Sequence, residues 1–276
     1  MNYKNITCSI VIFKPNIQQY NNLINLINNS IISRTLIIDH SPTPSVTQNL
    51  PPKFEYIHNP LNPGYGAGHN MAIRKVLNTS KYHFVLNPDI YFNPDDMKIL
   101  IDYMETNQDV GQLMPKVIYP DGGLQYLCKL LPTPYDLLVR RFIPTKKIQD
   151  LNNTKFELRF SGYDKIMNVP YLSGCFMLLR VSALKEVGLF DERYFMYAED
   201  IDLSRRMHQK YKTIFYPNVT IIHDHARSSY KNKKMLIIHI KNIIKYFNKW
   251  GWFYDSERKK VNAQCIKEIK LLKKDK

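Results

Sequence analysis

The sequence predicts an α/β domain built on a mainly parallel β-sheet. Over the first hundred residues, short apolar runs rich in β-branched residues alternate with helical patterns. Such alternation is typical of strand–helix–strand units, in which parallel strands are buried on both faces. The chain has 276 residues, of which 44% are hydrophobic. This is enough apolar material for one large packed domain.

Four apolar runs have the length expected of buried strands, and they occupy residues 6–13, 35–38, 54–58 and 82–86. Between them, apolar residues recur at three- and four-residue spacing, which predicts helices at residues 16–27, 71–77 and 94–104. Ligands of such sheets bind beyond the carboxyl ends of the strands. Asp39 and Asp89 follow two of the predicted strands, so we expect both acids on one rim of the sheet.

The second half of the chain is less regular. Residues 120–168 are rich in turn-forming and polar residues and predict an irregular segment. Later patterns predict three more strands and a short helix beginning at Val181, with the strands at residues 171–180, 213–216 and 219–223. A basic amphipathic helix is expected at residues 234–250. We therefore expect a globular domain at residues 1–230 and a basic extension at residues 231–276.

The formal net charge of +15 is the unusual feature of the composition. It indicates a polyanionic partner, such as a phosphate-bearing substrate, a nucleic acid or an anionic membrane surface. No zinc-finger, helix-turn-helix or RRM motif is present, which argues against nucleic-acid binding. The four cysteines form no CxxC pair, so neither a zinc site nor a disulfide framework is expected. With no secretory signal and no long apolar run, the chain is expected in the cytoplasm or bound to the membrane from that side.

Residues 62–70, NPGYGAGHN, carry glycine at positions 64, 66 and 68. The spacing does not fit the dinucleotide-binding fingerprint, because that pattern needs glycine where this chain has His69. Two interpretations stay open. The segment is either a flexible turn that precedes a helix or a loop whose backbone approaches a phosphate or sugar.

Three further groups of polar residues suit chemistry at the strand ends. Asp89 could ligate a divalent cation that bridges a diphosphate, although Asn87-Pro88-Asp89 also fits an ordinary turn. His223 and His225 face the same side of a strand, so they either share a metal or phosphate or are edge-strand histidines bonded to backbone. Residues 190–206 place carboxylates, including Asp191, Glu199, Asp200 and Asp202, among aromatic residues, where a raised pKa suits a general base; a helix N-terminus is the alternative.

Six segments, taken in order, resemble family-two glycosyltransferases, and most closely the bacterial rhamnosyltransferase-type enzymes of O-antigen and capsule assembly. They are IIDHS, NPGYGAGHN, VLNPDI, YLSGCFMLLR, GLFDERYFMYAEDIDLSRR and IIHDHARSS. The resemblance implies a GT-A fold with a Rossmann-like sheet, an inverting reaction, and Mg²⁺ or Mn²⁺. It also implies a nucleotide-diphosphate sugar donor, for which we expect dTDP-L-rhamnose.

The resemblance assigns donor-side and metal-binding roles by position. Asp39 is implied to bind the nucleobase, and the rest of the donor site is implied at Gly64, Gly66, Gly68, Asn70, Asn87 and Asp89. The metal ligands are implied to be Asp89 and His223, with His225 as the alternate. Two positions depart from the family pattern: Asn87 replaces the first acid of the D-x-D motif, and Ala226 replaces the glycine of the histidine motif.

Catalytic and acceptor-side roles follow from the same resemblance. Asp200, with Glu199 beside it, is implied to be the general base that takes the proton of an acceptor hydroxyl. The acceptor side is implied at Leu172, Ser173, Gly174 and Cys175. The acceptor is expected to be a lipid-linked saccharide at the inner face of the bacterial plasma membrane.

The basic extension fits two environments equally well. One stripe of its predicted helix is apolar and comprises Leu236, Ile240, Ile243, Ile244 and Phe247. A second stripe carries Lys241, Lys245 and Lys249, and four aromatic residues follow between positions 250 and 254. Such a helix lies in the interface of an anionic membrane, or it packs on the catalytic domain with its lysines in solvent. The first interpretation predicts a peripheral membrane protein.

A sugar nucleotidyltransferase is an alternative with a similar sheet. That class predicts a basic, glycine-rich loop after the first strand. Here the first strand is followed by Lys14-Pro15-Asn16 without glycine, which argues against it.

Overall fold

A computed structural model gives the fold of the chain, and it describes residues 5–46, 50–139, 146–224 and 233–274. Its strands in chain order are β1 (Ile6–Ile12), β2 (Arg34–Asp39), β3 (Phe54–His58), β4 (Tyr82–Leu86), β5 (Ile90–Tyr91), β6 (Val110–Ile118), β7 (Cys128–Lys129), β8 (Met167–Asn168), β9 (Tyr171–Leu172), β10 (Phe176–Arg180) and β11 (Lys212–His223). Its helices are α1 (Ile17–Asn28), α2 (Tyr65–Val76), α3 (Asp96–Thr106), α4 (Lys146–Phe156), α5 (Val181–Val187), α6 (Glu199–His208), α7 (Lys233–Trp250) and α8 (Ser256–Lys274).

Nine of the described strands form one mixed sheet. Its order is β3-β2-β1-β4-β10-β6-β11-β5, and β8 pairs with β11 outside that path. Strands β3, β2, β1 and β4 are parallel, as are β6 and β11. Strand β10 is antiparallel to both neighbours, β4 and β6. The first residue of β10 therefore lies at the edge where the parallel strands end.

The predicted α/β class is confirmed, and several element boundaries differ from the prediction. Residues 171–180 form two short strands, because residues 173–175 turn between β9 and β10. Residues 213–223 belong to one strand, β11, whose pairing with β6 is irregular between Tyr216 and Thr220. Pro217 lies in that interval, and it has no N–H for the ladder. The segment at 120–168 is not wholly irregular, since it contains α4, and the sequence prediction lacked α8.

The glycine-rich segment is largely helical, which corrects the predicted loop. Helix α2 begins at Tyr65, so Gly66 and Gly68 lie inside it and only Gly64, with φ of +113°, precedes it. A Cβ atom on Gly66 would lie 2.9 Å from the Phe190 side chain, and one on Gly68 would lie 2.8 Å from Val11. Glycine is therefore required here for close packing of α2.

Helix α7 packs against the acidic segment and α6 with one face. Its residues Ile243, Tyr246 and Phe247 are fully buried and share an apolar cluster with Tyr194 and Ile201. Of the predicted apolar stripe, Ile243 and Phe247 are thus inside, whereas Ile244 is exposed. In this structure α7 therefore packs on the globular part of the chain. None of the helices in the described ranges is both long and apolar enough to cross a lipid bilayer.

A buried ion pair joins α6 to the segment between α7 and α8. Arg205, only 2% exposed, donates hydrogen bonds to Asp255 at 2.7 and 2.8 Å and to Glu257 at 2.6 Å. The indole of Trp250 covers the guanidinium at 4.1 Å. A paired buried charge is tolerated, but removing one partner leaves the other uncompensated.

We predict that Asp255→Asn lowers the free energy of unfolding by about 3 kcal/mol, because it leaves the Arg205 charge buried without its main counterion. Asp102→Asn is the matched control, since its partner Lys98 is 3.7 Å away on the outside of α3. That change is expected to stay within about 0.5 kcal/mol. Denaturant unfolding checks both variants, and equal effects would contradict the structural role of the buried pair.

Candidate active site

Side chains from distant parts of the sequence meet at the carboxyl edge of the sheet. Residues 87–89 follow β4 there, and the backbone N–H of Asn87 donates to the carbonyl of Cys175 at 2.9 Å, just before antiparallel β10 begins. His223, the last residue of β11, is in register with Ile90 of β5. The N–H of Asp224 also donates to the carbonyl of Asp89 at 3.0 Å. The strand order thus brings Asn87, Asp89 and His223 together.

Asp89 and His223 form the most polar part of this edge. His223 Nε2 lies 3.4 Å from Asp89 Oδ1 and 3.3 Å from Asn87 Nδ2. At 3.4 Å the carboxylate contact is an ionic approach and not a hydrogen bond, and Asp89 Oδ1 is buried without a hydrogen-bond partner among the described residues. Nδ1 of His223 is 3.0 Å from Gln125 Oε1, which fixes the plane of the ring. The sequence analysis did not identify Gln125, although it ends the conspicuous segment PDGGLQ.

A divalent cation fits this pair of ligands. A buried carboxylate oxygen without a partner is a ligand that Mg²⁺ or Mn²⁺ accepts, and the imidazole nitrogen that it faces is a ligand of transition-metal ions. Within the described ranges, no group of three or more His, Cys, Asp or Glu side chains is placed to hold a metal ion. Asp89 and His223 would therefore hold the ion together with oxygens from a substrate or water. His225, the alternate ligand, lies outside the described residues.

Protonation of His223 competes with such a cation. Burial lowers the pKa of His223, but Cys175 and Asp89 raise it more, to about 10. A metal ligand must be the neutral imidazole, so binding of a cation has to displace this proton.

Asp200 and Glu199 begin helix α6 and are nearly enclosed. Asp200 Oδ2 accepts a hydrogen bond from the backbone N–H of Gly174 at 3.0 Å, and the Tyr171 hydroxyl lies 3.4 Å away. Burial raises the pKa of Asp200. Burial, followed by the neighbouring charge of Asp200, raises the pKa of Glu199 to about 8. Burial therefore favours the protonated form of both carboxyl groups.

Tyr65 connects the acid pair to the Asn87 region, and the sequence analysis did not identify it. Its hydroxyl lies 2.8 Å from Asn87 Oδ1 and 2.8 Å from the carbonyl oxygen of Gly174. The Gly174 N–H donates a hydrogen bond to Asp200. A short chain of hydrogen bonds through Gly174 and Tyr65 therefore connects the acid pair to Asn87 and His223. A Cβ atom on Gly174 would lie only 3.1 Å from that of Asp200. The tight contact explains why the turn before β10 has glycine at this position.

Asp39 lies on the same edge but apart from this network. It is in register with Ile12 of β1, and β1 separates it from β4. Two strand spacings correspond to about 10 Å. Its carboxylate is fully buried and accepts hydrogen bonds from the Ser41 N–H, from Ser45 and from the Tyr56 hydroxyl. Burial raises the pKa of Asp39, but these hydrogen bonds outweigh it and lower the pKa to about 2.

Other predicted site residues lie in packed positions. Asn70 is buried, and its amide bonds Phe190 backbone atoms and Glu192, which ties α2 to the acidic segment. Leu172 is fully buried in the core and Cys175 is 5% exposed, whereas Ser173 is half-buried. Gly66 and Gly68 are buried against protein atoms. Their predicted roles toward donor and acceptor stay predictions.

We predict that Glu199→Gln gains stability relative to the unsubstituted protein as pH rises. A folded pKa near 8 means that Glu199 stabilises the fold below about pH 4.5, and that this contribution is lost as pH rises toward 8. Glutamine avoids the loss, so the difference in unfolding free energy should shift by at least about 1 kcal/mol between pH 5 and pH 9.

Glu192→Gln is the control for this prediction. Burial raises the pKa of Glu192, but hydrogen bonds from Asn70 and Arg74 lower it by more than burial raises it. The pKa of Glu192 is therefore below its usual value. Because the shift has the opposite sign to that of Glu199, Glu192→Gln should not gain stability relative to the unsubstituted protein as pH rises. Denaturant titrations at several pH values measure both. A flat difference for Glu199→Gln would rule out the buried, protonated state of Glu199.

Solved structures with the same fold are glycosyltransferases. GalNAc-T7, solved with UDP, GalNAc and Mn²⁺, matches 79% of this chain and 43% of its own length, with a TM-score of 0.59 and 12% identity. Mannosyltransferase PcManGT from Pyrobaculum calidifontis, in complex with GDP-Man and Mn²⁺, matches 89% of this chain and 63% of its own, with a TM-score of 0.55 and 12% identity. At this identity the likeness concerns the fold alone. It confirms the GT-A fold.

Sequence comparisons point to the same family. The N-acetylglucosaminyl-diphospho-decaprenol L-rhamnosyltransferase of Mycobacterium tuberculosis is 27% identical over 202 residues, which cover 68% of this chain and 64% of that protein. Rhamnosyltransferase WbbL of Escherichia coli K12 is 31% identical over 153 residues, covering 52% of this chain and 54% of WbbL. The chain thus spans less than two thirds of the length of either relative. The family model for glycosyl transferase family 2 matches residues 34–188, more than half of the 276 residues. The chain belongs to glycosyl transferase family 2.

Proposed function

We propose that this protein is an inverting rhamnosyltransferase of surface polysaccharide synthesis. It transfers L-rhamnose from dTDP-L-rhamnose to a hydroxyl of a lipid-linked saccharide. The observation that carries the proposal is the short bonded path from the buried Asp200 carboxylate through Gly174 and Tyr65 to Asn87, beside Asp89 and His223. This path supports a single site in which Asp200 takes up a proton while Asp89 and His223 bind the cation, as transfer from a sugar diphosphate requires.

In this proposal Asp200 is the general base. Its ionised carboxylate accepts the proton of the acceptor hydroxyl while that oxygen forms a bond to the anomeric carbon of the donor sugar. The bond from this carbon to the diphosphate breaks on the opposite face, so the configuration inverts. The Gly174 N–H holds Asp200 Oδ2 in place. Glu199, directly adjacent, disfavours full ionisation of the pair and so sets the pH range in which the base is available.

Asp89 and His223 hold the diphosphate end of the donor in this scheme. Mg²⁺ or Mn²⁺, bound by these two residues, would neutralise the charge that develops on the leaving nucleoside diphosphate. Asn87 supplies an amide where the family pattern has an acid, and its Nδ2 faces His223. Because Asn87 carries no charge, the protein holds the cation less tightly than two acids would. We therefore expect the diphosphate itself to supply most of the ligands of the cation.

Asp39 acts at the nucleobase end of the donor through the loop that follows it. Its carboxylate binds the Ser41 N–H and both the N–H and hydroxyl of Ser45. These bonds fix the start of the loop beyond β2, two strands from Asn87. We propose that the thymine ring binds along this loop, which leaves the diphosphate to reach Asp89.

The proposed acceptor places the protein in the cytoplasm at the inner face of the plasma membrane. The rhamnosyltransferase from M. tuberculosis carries a decaprenol diphosphate acceptor in its name, and a lipid-linked acceptor of that kind lies in the bilayer. The high net charge of +15 supports residence near anionic lipid.

We predict that, among a panel of nucleotide sugars, dTDP-L-rhamnose supports transfer to a polyprenyl-diphosphate-linked saccharide. Thermal shift and product mass measure binding and transfer separately. A different nucleotide sugar as the preferred donor would keep the glycosyltransferase and overturn the rhamnose assignment. Another hexose is the relevant competitor, because the hexosyltransferase Agl10 of Haloferax volcanii is also 25% identical over 181 residues.

We predict that Asp200→Asn lowers kcat for transfer by at least about 10²-fold, because it removes the proton acceptor. Its unfolding free energy should not fall, since burial already disfavours the ionised carboxylate. Asp102→Asn, on α3, is the matched control and should keep its activity. Steady-state transfer assays and denaturant unfolding measure the two effects. Near-normal transfer by a folded Asp200→Asn variant would exclude Asp200 as the base.

A further inference from the structure

We propose that residues 251–255, which connect α7 to α8 and are called the docking turn here, insert into the interface of an anionic lipid bilayer. The inference rests on the proposed function in one respect, because a lipid-linked acceptor supplies the reason for such docking. The ligand class is a phospholipid surface with negatively charged headgroups. The inserting side chains are Phe253 and Tyr254.

These two rings are unusually exposed for aromatic side chains. Phe253 is 81% exposed and Tyr254 is 98% exposed. Their neighbours behave differently, since Trp250 and Trp252 are only partly exposed and pack against the apolar cluster around Phe247. The ring of Tyr254, with one apolar and one polar end, is of the kind favoured at the level of lipid headgroups, and phenylalanine is favoured on the apolar face of interfacial segments.

The docking turn is held rigidly from within, so the exposure of its rings is not a result of looseness. Asp255 binds the buried Arg205 through two hydrogen bonds and accepts the Arg258 N–H at 2.9 Å. Arg258 also donates to the carbonyl oxygen of Trp252 at 3.1 Å. Gly251 has a φ of +98°, and a Cβ there would lie 2.7 Å from the carbonyl oxygen of Tyr254. A glycine and two buried arginines thus fix a turn that presents two aromatic rings.

The buried part of the apolar face of α7 is not available for the same purpose, although Ile237 and Ile244 of this helix are exposed. Ile243 and Phe247 are fully buried against the globular part, and Asn242 donates to the carbonyl of Met196 at 2.8 Å. Lys249 is 2.6 Å from Asp202 and 2.9 Å from Asp191, so this lysine faces protein. The sequence pattern left open whether the helix itself lies in the membrane or packs on the catalytic domain. The structure points instead to the turn at its end.

The charge of the extension and the small area of the two rings favour a lipid surface over a second protein as the partner of the docking turn. Residues 231–276 contain fourteen Lys or Arg but four Asp or Glu, and Lys259 and Lys260 lie exposed just after the turn. Two aromatic rings bury about 300–500 Å² at most, whereas a stable protein interface buries about 800 Å² on each partner. A bilayer needs no complementary surface, and each lysine near anionic lipid adds about fivefold to the binding constant.

Co-sedimentation with phosphatidylcholine vesicles containing phosphatidylglycerol tests the proposal on the full chain. The unsubstituted protein should bind these vesicles and bind pure phosphatidylcholine weakly. The double variant Phe253→Ser and Tyr254→Ser should bind at least about tenfold less tightly. Ile99→Ser, which removes an exposed apolar side chain on α3, should bind normally. Lys259→Gln and Lys260→Gln should each weaken binding about fivefold.

A Phe253→Trp variant keeps the aromatic ring, and its emission after subtraction of the signal of Trp250 and Trp252 in the unsubstituted protein reports on insertion. Its fluorescence emission should shift to shorter wavelength when vesicles are added and should be quenched by brominated lipid. Failure of the unsubstituted protein to bind, equal binding of the double serine variant, or an unshifted Phe253→Trp spectrum would each overturn the proposal. A change of oligomeric mass in the double variant would also overturn it, because the surface would then be a contact between copies. Transfer to a water-soluble acceptor should be unchanged in the double variant, so failure of docking and failure of the proposed activity remain distinguishable.

Discussion

The arrangement of the active site depends on the hydrogen bonds and ion pairs of the fully buried Asp202 carboxylate. Trp250 Nε1 donates to Oδ1 at 2.8 Å, Lys249 lies 2.6 Å from the same atom, and Arg206 donates to Oδ2 at 2.8 Å. A buried carboxylate without these partners would be costly, so α7 must stay in contact with α6. Asp202 lies two residues after Asp200 on the first turn of α6. The C-terminal helices therefore hold the acid pair in place, although they follow it in sequence by more than thirty residues.

The antiparallel strand β10 provides the second constraint. It lies between β4 and β6, so its first residues meet the carboxyl ends of the parallel strands. Gly174 thereby has contact with Tyr65 through its carbonyl and with Asp200 through its N–H. A wholly parallel sheet would have placed the beginning of this strand at the opposite edge. The mixed sheet is thus the reason that residues near positions 65, 87, 174, 200 and 223 occupy one site.

The sequence pattern of the extension presented packing and membrane binding as alternatives. In the structure, Ile243 and Phe247 of α7 pack against the globular part, and Lys249 binds Asp191 and Asp202. The membrane surface proposed above is instead the docking turn, with its two exposed rings and the lysines that follow it. Its buried anchor, Arg205, belongs to the same helix as Asp200. Docking at the turn and support of the acid pair therefore share one set of contacts. The domain boundary at residue 230 stays a prediction, and it falls among residues outside the described ranges.

The sequence by itself determined the α/β class, most strands of the first half, and a family resemblance whose implied catalytic residues stay predictions. Local patterns suffice for these, because strand length, helical spacing and motif order are properties of short segments. Tertiary structure alone decided that Gly66 and Gly68 are packing residues within α2, that Asp39 is separated from Asp89 by β1, and that Tyr65 and Gln125 contact the site. Each of these depends on which strands become neighbours and on how closely a helix approaches another segment. These contacts are between residues far apart in the chain, so no local sequence pattern predicts them.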